Sequence, residues 1–428
     1  MNTQFLRVAA VATVVVALSA TNSLYAQGEN QDPEAALQGR MLESTFPGFM
    51  GHGDSGFTSR FDSSFNPAIG LIFDGLATWS EEAGEDVDQF DMRSVELNMA
   101  SRIDPLGWAY LVAAFEEDNF ELEEAVFVMD RLPNNMSLRV GKMLADFGKW
   151  NTIHLHDKNY AFEDGVRSAF FGGNLNTTGV ELHQWTGIGD LPVRWSLGVN
   201  SNFGGHDHGH GEEAAGGHEH GGEFASGVIG NRGFEELGFT GRVTTQSDFG
   251  VNGFLQFGFS FFHTGEGLVD QHDEDSDGII DEEFGLGQTT FAVDFTLRNV
   301  DATDHTADTF SVEIWRNQRE TVEEVMEAIV SRDANGIWGF YQHDFSPFWA
   351  AGVQAAWWQE PLTDLGTDWF TASESGGQRA VFLTRSFSEF NRLRLQVSQD
   401  HHAGEDPSWS LAMQWDIILG SHSHPLDW

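Results

Sequence analysis

Apolar and polar residues alternate strictly along several long stretches of the chain. Over 251–261, Val251, Gly253, Leu255, Phe257, Phe259 and Phe261 take one side, and Asn252, Phe254, Gln256, Gly258 and Ser260 the other. In 409–419, Trp409, Leu411, Met413, Trp415, Ile417 and Leu419 alternate with Ser410, Ala412, Gln414, Asp416 and Ile418. Arg392, Arg394, Gln396 and Ser398 alternate with Leu393, Leu395 and Val397, and 94–103, 193–201, 291–298 and 349–358 behave alike. A period of two sustained this far predicts long strands with one apolar face. Strands of soluble sandwiches usually run to about five or six residues. Strands of about ten with aromatic outer faces are those of a membrane-spanning barrel.

The connections sharpen the expectation. Tight-turn signals stand at Asp104-Pro105-Leu106-Gly107, Pro133-Asn134-Asn135, Gly189-Asp190-Leu191-Pro192, Ser247-Asp248-Phe249-Gly250, Ser346-Pro347-Phe348 and around Glu389-Phe390-Asn391. Between them lie longer polar excursions at 146–176, 203–231, 265–285, 317–335 and 361–376. The fold expected is therefore all-β, a transmembrane antiparallel barrel of about 16 strands with long external loops. Short turns fall at one end and long loops at the other. One stretch reads differently. Val322, Val325, Met326, Ile329 and Val330 fit helical spacing, and Thr321 with Glu324 makes a capping box, so a short helix is expected within 321–335, with a continued strand as the alternative.

The N-terminus places the barrel. Met1–Arg7 carries one basic residue, Val8–Ala20 is apolar, and small neutral residues follow to Ala26. This is the pattern of a secretory signal peptide, expected over 1–26 with Ala20 as the other cleavage point. A periplasmic segment is expected over 27–65 and the outer-membrane barrel over 66–428. Sixty-six acidic against 22 basic side chains give a formal charge of −44, which opposes contact with nucleic-acid phosphates. With no cysteine, disulfides, thiol catalysis and thiolate metal sites are ruled out.

The stretches FNPAIGLIFDG (66–76), LRVGKMLADFGKWNTIHLHD (138–157), FFGGNLNTTGVELHQW (170–185) and the ending ILGSHSHPLDW resemble a group of porin-like outer-membrane proteins. That group is related to phosphate-selective porins and often labelled zinc-regulated TonB-dependent receptors. The resemblance implies a porin-type barrel, metal-linked physiology, and a long loop at 146–176 that folds into the lumen. Two departures matter. Phosphate-selective members use pore lysines, and this chain has only Lys142, Lys149 and Lys158. A TonB-dependent receptor has about 22 strands around a plug, and no plug is expected in 27–65.

Candidate chemistry concentrates in the excursions. His206, His208, His210, His218 and His220 in loop 203–231 interleave with Asp207, Glu212, Glu213 and Glu219, a composition suited to zinc or a similar divalent metal. Its alternative is a solvated low-complexity loop. His154, His156 and Asp157 form a second cluster that, with the loop folded inward, would stand near the constriction. His422 and His424 are a weaker pair near the C-terminus. In loop 265–285, Asp273, Asp275, Asp277, Gly278 and Asp281 follow the hard-oxygen spacing of a calcium loop, although Phe284 stands where a bidentate Glu belongs. Calcium there would be structural.

By the alternation Arg102, Arg139, Arg194, Arg298, Arg392, Arg394, Glu96 and Asp294 face the lumen, either lining a pore or pairing to brace the wall. No nucleophile elbow or other catalytic constellation stands out. The function expected is a channel for small solutes, cations foremost, with zinc captured by the His-rich loop. The alternative is a non-conducting outer-membrane metal-binding or adhesion protein, with an outer-membrane hydrolase third. Expected partners are membrane lipid, small solutes or metal ions, and copies of the chain in a homotrimer.

Overall fold

The computed structural model describes residues 67–420, with breaks at 83–84, 105–106, 116–119, 190, 207–233, 251, 273–281, 302, 304, 324–327, 360–374, 389 and 402–405. The segments expected over 1–26 and 27–65, His208, His210, His218 and His220, Asp273, Asp275, Asp277 and Asp281, and His422 and His424 lie outside the described residues.

Sixteen antiparallel strands close into one barrel. They are β1 (Ala68–Glu82), β2 (Glu85–Asp104), β3 (Gly107–Phe115), β4 (Phe120–Leu132), β5 (Met136–Leu144), β6 (Asn174–Ile188), β7 (Leu191–His206) and β8 (Gly238–Phe249), then β9 (Gly253–His272), β10 (Glu282–Asp301), β11 (Thr306–Glu323), β12 (Ala328–Ser346), β13 (Trp349–Gln359), β14 (Ser375–Ser388), β15 (Asn391–His401) and β16 (Ser408–Gly420). Every strand pairs with its sequence neighbours, and β1 closes on β16 from Gly70↔Gly420 to Glu81↔Trp409. Closure leaves no strand edge, which a bilayer requires because lipid offers no partner to a bare N–H or C=O.

The outside is apolar. Val243, Phe259, Val293, Ile314, Ile337 and Trp357 are successive register partners across β8 to β13. All six are 42–54 % exposed. Such a continuous belt would be costly in water, at roughly 25 cal/mol per Å², and costs nothing against lipid. Residues of the other parity, among them Ser260, Asp294, Glu313 and Trp338, are buried inside.

The turns obey local chemistry. Asn134 and Asn135 take φ of 61° and 55° between β4 and β5, a left-handed pair that Asn tolerates. The strand ends that flank the longer connections all lie at the opposite end, and so do those flanking 83–84, 116–119 and 324–327. The helix expected within 321–335 is not formed by its described residues. Thr321↔Val330, Val322↔Ile329 and Glu323↔Ala328 extend the β11–β12 ladder. Residues β-branched at this density suit a strand, and the neighbouring ladder favours continued pairing over local helical spacing.

One described connection turns into the barrel. Residues 145–173, between β5 and β6, fold inward and end in a short helix, α1 (Gly165–Phe171). Asp164 caps it by accepting from Arg167 N at 2.9 Å, and Gly172, at φ 71°, closes it in the left-handed region.

Candidate functional site

The inward segment is held on one side by aromatic packing around a buried ion pair, and on the other by charge alone. Phe147, Trp150, Tyr160, Val166, Phe170 and Phe171 join Trp315, Trp338, Phe340 and Phe382 of the wall in one buried cluster. Several rings meet edge to face, Phe147 on Trp315 at 5.0 Å and Trp150 on Phe340 at 4.9 Å, the geometry that ring quadrupoles favour. Gly165 is needed here because a Cβ would stand 2.2 Å from the Trp358 ring.

Glu313 of β11 is the main anchor. Its carboxylate accepts from Lys149 N at 2.6 Å and Trp150 N at 3.2 Å, and from Trp315 Nε1 at 3.2 Å and Arg167 Nη2 at 2.7 Å. Arg167 also pairs with Asp164 and Glu163, and lies 5.4 Å from the Trp315 ring centroid. Lys158 pairs with Glu163. Burial by itself pushes the Glu163 carboxyl up, yet Lys158 and Arg167 outweigh it and hold the pKa down at about 2.

Across the lumen, arginines of the wall take the segment's carbonyls. Arg392 donates to His156 O, Arg394 to Lys158 O at 2.6 Å and Tyr160 O at 2.9 Å, and Arg93 to Ala161 O at 2.6 Å. This satisfies a stretch of backbone that forms no ladder. Arg392 also pairs with Asp416, and Arg93 with Asp74.

The lumen-facing residues named from the alternation all have partners. Arg139 bonds Glu181 at 2.9 Å and the Tyr110 hydroxyl at 2.8 Å. Arg194 bonds Asp146 at 2.8 Å, and Asp294 accepts from Arg242 at 2.8 Å and 2.9 Å. Arg298 reaches Thr309 at 2.6 Å and Asp344 at 3.3 Å, while Arg102 pairs with Asp130 in a half-exposed position. Glu96 meets the two histidines of the segment.

Those histidines stand in a carboxylate-rich pocket. His154 Nδ1 lies 3.0 Å from Glu123 Oε2 and 3.7 Å from Glu96 Oε2, and its Nε2 is 3.0 Å from Glu124 Oε1. His156 Nδ1 lies 3.3 Å from Glu96 Oε2, and its Nε2 is 3.3 Å from Asp157 Oδ2. The two rings are stacked with centroids 5.8 Å apart. Burial disfavours a charged imidazole, but the carboxylates prevail. His154 is held well above its ordinary pKa by Glu123 and Glu96, and His156 at about 9 by Glu96 and Asp157.

Reading the sequence did not find Glu123, Glu124 or Glu313. Adjacent residues of a regular strand face opposite ways, so 123 and 124 should not both point inward. A bulge makes them do so: Val112 pairs with Glu124 and Ala113 with Leu122, leaving Glu123 as the extra residue. Two consecutive glutamates interrupting an apolar strand were the available signal. Glu313 follows the plain alternation of β11 and was legible as inward-facing, though not as an anchor. His206 ends β7 opposite Asn174.

A closed barrel with an apolar belt outside and a loop folded within has clear structural counterparts. The fold is that of outer-membrane porins. OprB from Pseudomonas putida aligns over 82% of this chain and 94% of its own, with a TM-score of 0.53 and 9% identity. OmpF from Salmonella typhi, in complex with daunomycin, aligns over 82% and 97%, at 0.52 and 11%. The trimer form of OmpT from Vibrio cholerae aligns over 82% and 99%, at 0.50 and 7%. In sequence, an uncharacterized protein of Aquifex aeolicus is 31% identical over 110 residues, 26% of this chain and 23% of that protein. No protein-family model matches the chain.

Proposed function

We propose that the protein is an outer-membrane channel for small solutes, favouring cations, with loop 203–231 capturing zinc or a similar divalent metal at its mouth. The observation that carries this reading is the closed barrel with a polar, charge-laced interior crossed by residues 145–173. Net charge of −44 supports cation preference, because acidic surfaces raise the local concentration of cations. The histidines of 206–220, with their carboxylates, supply ligands suited to zinc. Calcium on Asp273, Asp275, Asp277 and Asp281 would rigidify loop 265–285. The trimeric OmpT counterpart supports assembly as a homotrimer.

One feature favours a non-conducting binder. The inward segment contacts the wall nearly all round, from Ala161 against Leu76 and Ala412 at the β1–β16 seam to Gly148 on Ser260 of β9. Planar-bilayer recording under a salt gradient separates the two readings. Unitary steps with a cation-selective reversal potential, reduced by zinc, support the channel. Silence in the full chain, with steps appearing only once 146–172 is replaced by a short linker, establishes the binder.

A further inference from the structure

We propose that Glu96, Glu123 and His154, with His156 beside them, form a binding site for one divalent transition-metal ion of the zinc class, inside the barrel and separate from the His-rich loop. Ligand atoms of Glu96, Glu123 and His154 all lie within 4.8 Å of one another, and all three residues are buried. His156 Nδ1, at 3.3 Å from Glu96 Oε2, lies beside the group and orients that carboxylate. An ion among these three donors would have one nitrogen and two carboxylate oxygens, with a fourth position left for water, a set that zinc accepts.

The outer shell is built for it. Each imidazole turns Nδ1 towards Glu96 and Nε2 towards another carboxylate, Glu124 for His154 and Asp157 for His156. Metal-bound imidazoles are usually oriented in this way, the outer carboxylate fixing the ring and raising its basicity. Glu124 is itself held by the Tyr110 hydroxyl at 2.9 Å and Leu144 N at 3.2 Å. The bulge in β4 is what turns Glu123 inward beside Glu124, and bulges commonly re-aim a side chain in this manner. Two ionised ligands offset the charge of a divalent ion, which makes burial tolerable. Wall strands β2 and β4 supply the carboxylates and the inward segment supplies His154, so the ion would clamp that segment to the wall. The site rests on side-chain geometry and does not depend on whether the barrel conducts.

The test uses the full chain with His206, His208, His210, His218 and His220 replaced by Ala, refolded in detergent and stripped with chelator. Titration with Co²⁺ should give one ion per chain, with the visible absorption of a four-coordinate nitrogen–oxygen site, displaced by one equivalent of zinc. Glu96→Gln and Glu123→Gln should each weaken zinc binding by more than about 10-fold, and Glu124→Gln by about 10- to 100-fold. Heat-modifiable gel migration verifies that each variant is a folded barrel. If a variant fails to fold, the Co²⁺ stoichiometry and spectrum of the loop-His-free chain decide alone. Absence of a stoichiometric Co²⁺ spectrum there, or unchanged zinc affinity in folded Glu96→Gln and Glu123→Gln, overturns the site and leaves the cluster as imidazolium–carboxylate ion pairs. Bilayer recording is independent of both outcomes.

Discussion

The two sides of the barrel interior hold the same segment by opposite means. Towards β11–β14, Phe147, Trp150, Phe170 and Phe171 pack into wall aromatics around the Glu313–Arg167 pair, and apolar burial dominates there. Towards β15, β1, β2 and β4, guanidiniums cap carbonyls and carboxylates surround two imidazoles. Packing of the first kind loses stability in proportion to the volume removed. Contacts of the second kind fail when one charge loses its partner, because the other is left buried and uncompensated. Arg167 joins the two, lying near the Trp315 and Trp338 rings while pairing with Glu313. A porin-type barrel with a polar interior thus contains a small hydrophobic core of its own.

The largest loss is expected on the aromatic side. Trp338→Ala should destabilise the inward segment by about 3–5 kcal/mol, the usual cost of deleting a buried large aromatic. Limited proteolysis within 145–173, at high and low salt alike, checks it. Protection equal to that of the parent would mean the charged side suffices.

Acid should loosen the charged contacts. Glu163 has its pKa lowered from an ordinary 4.5 to about 2. A depressed carboxyl contributes stability above pH 4.5 and loses it as pH falls through about 2. The expected loss is on the order of 3–4 kcal/mol, at about 1.4 kcal/mol per pKa unit. Fluorescence of Trp150 and its aromatic neighbours, followed from pH 6 to pH 2 in the parent and in Glu163→Gln, reads it. A transition of equal size in both would exclude Glu163 as its source.

The smallest effect is expected at the turn end. The Arg102–Asp130 pair is partly exposed, with side chains at 35 % and 25 %, and water screens such pairs. Arg102→Gln should cost under about 1 kcal/mol and leave unitary conductance unchanged. A conductance shift would make Arg102 part of the ion path.

Much of the fold was legible along the chain. Alternation at 409–419 and 392–398 marked β16 and β15, and Pro133-Asn134-Asn135 marked the turn between β4 and β5, since few residues other than Asn and Gly accept a left-handed pair. The failure at 321–335 has a definite cause. Val322 and Ile329 satisfy a helical period as well as a hairpin one, and only the neighbouring strands decide between them. Within the candidate metal cluster, His154, His156 and Glu96 were each apparent from type and parity, but their convergence was not.

What the sequence determined alone was whatever depends on local period: the long strands, their outward apolar faces, and the positions of most turns. What only the tertiary structure decided was which inward residues meet. Glu123 joins His154 because a bulge shifts one strand by one residue, and Glu313 receives the backbone of residues 149 and 150 from more than 160 positions away. Periodicity records the face a side chain takes, whereas barrel closure and an infolded connection determine what stands opposite it.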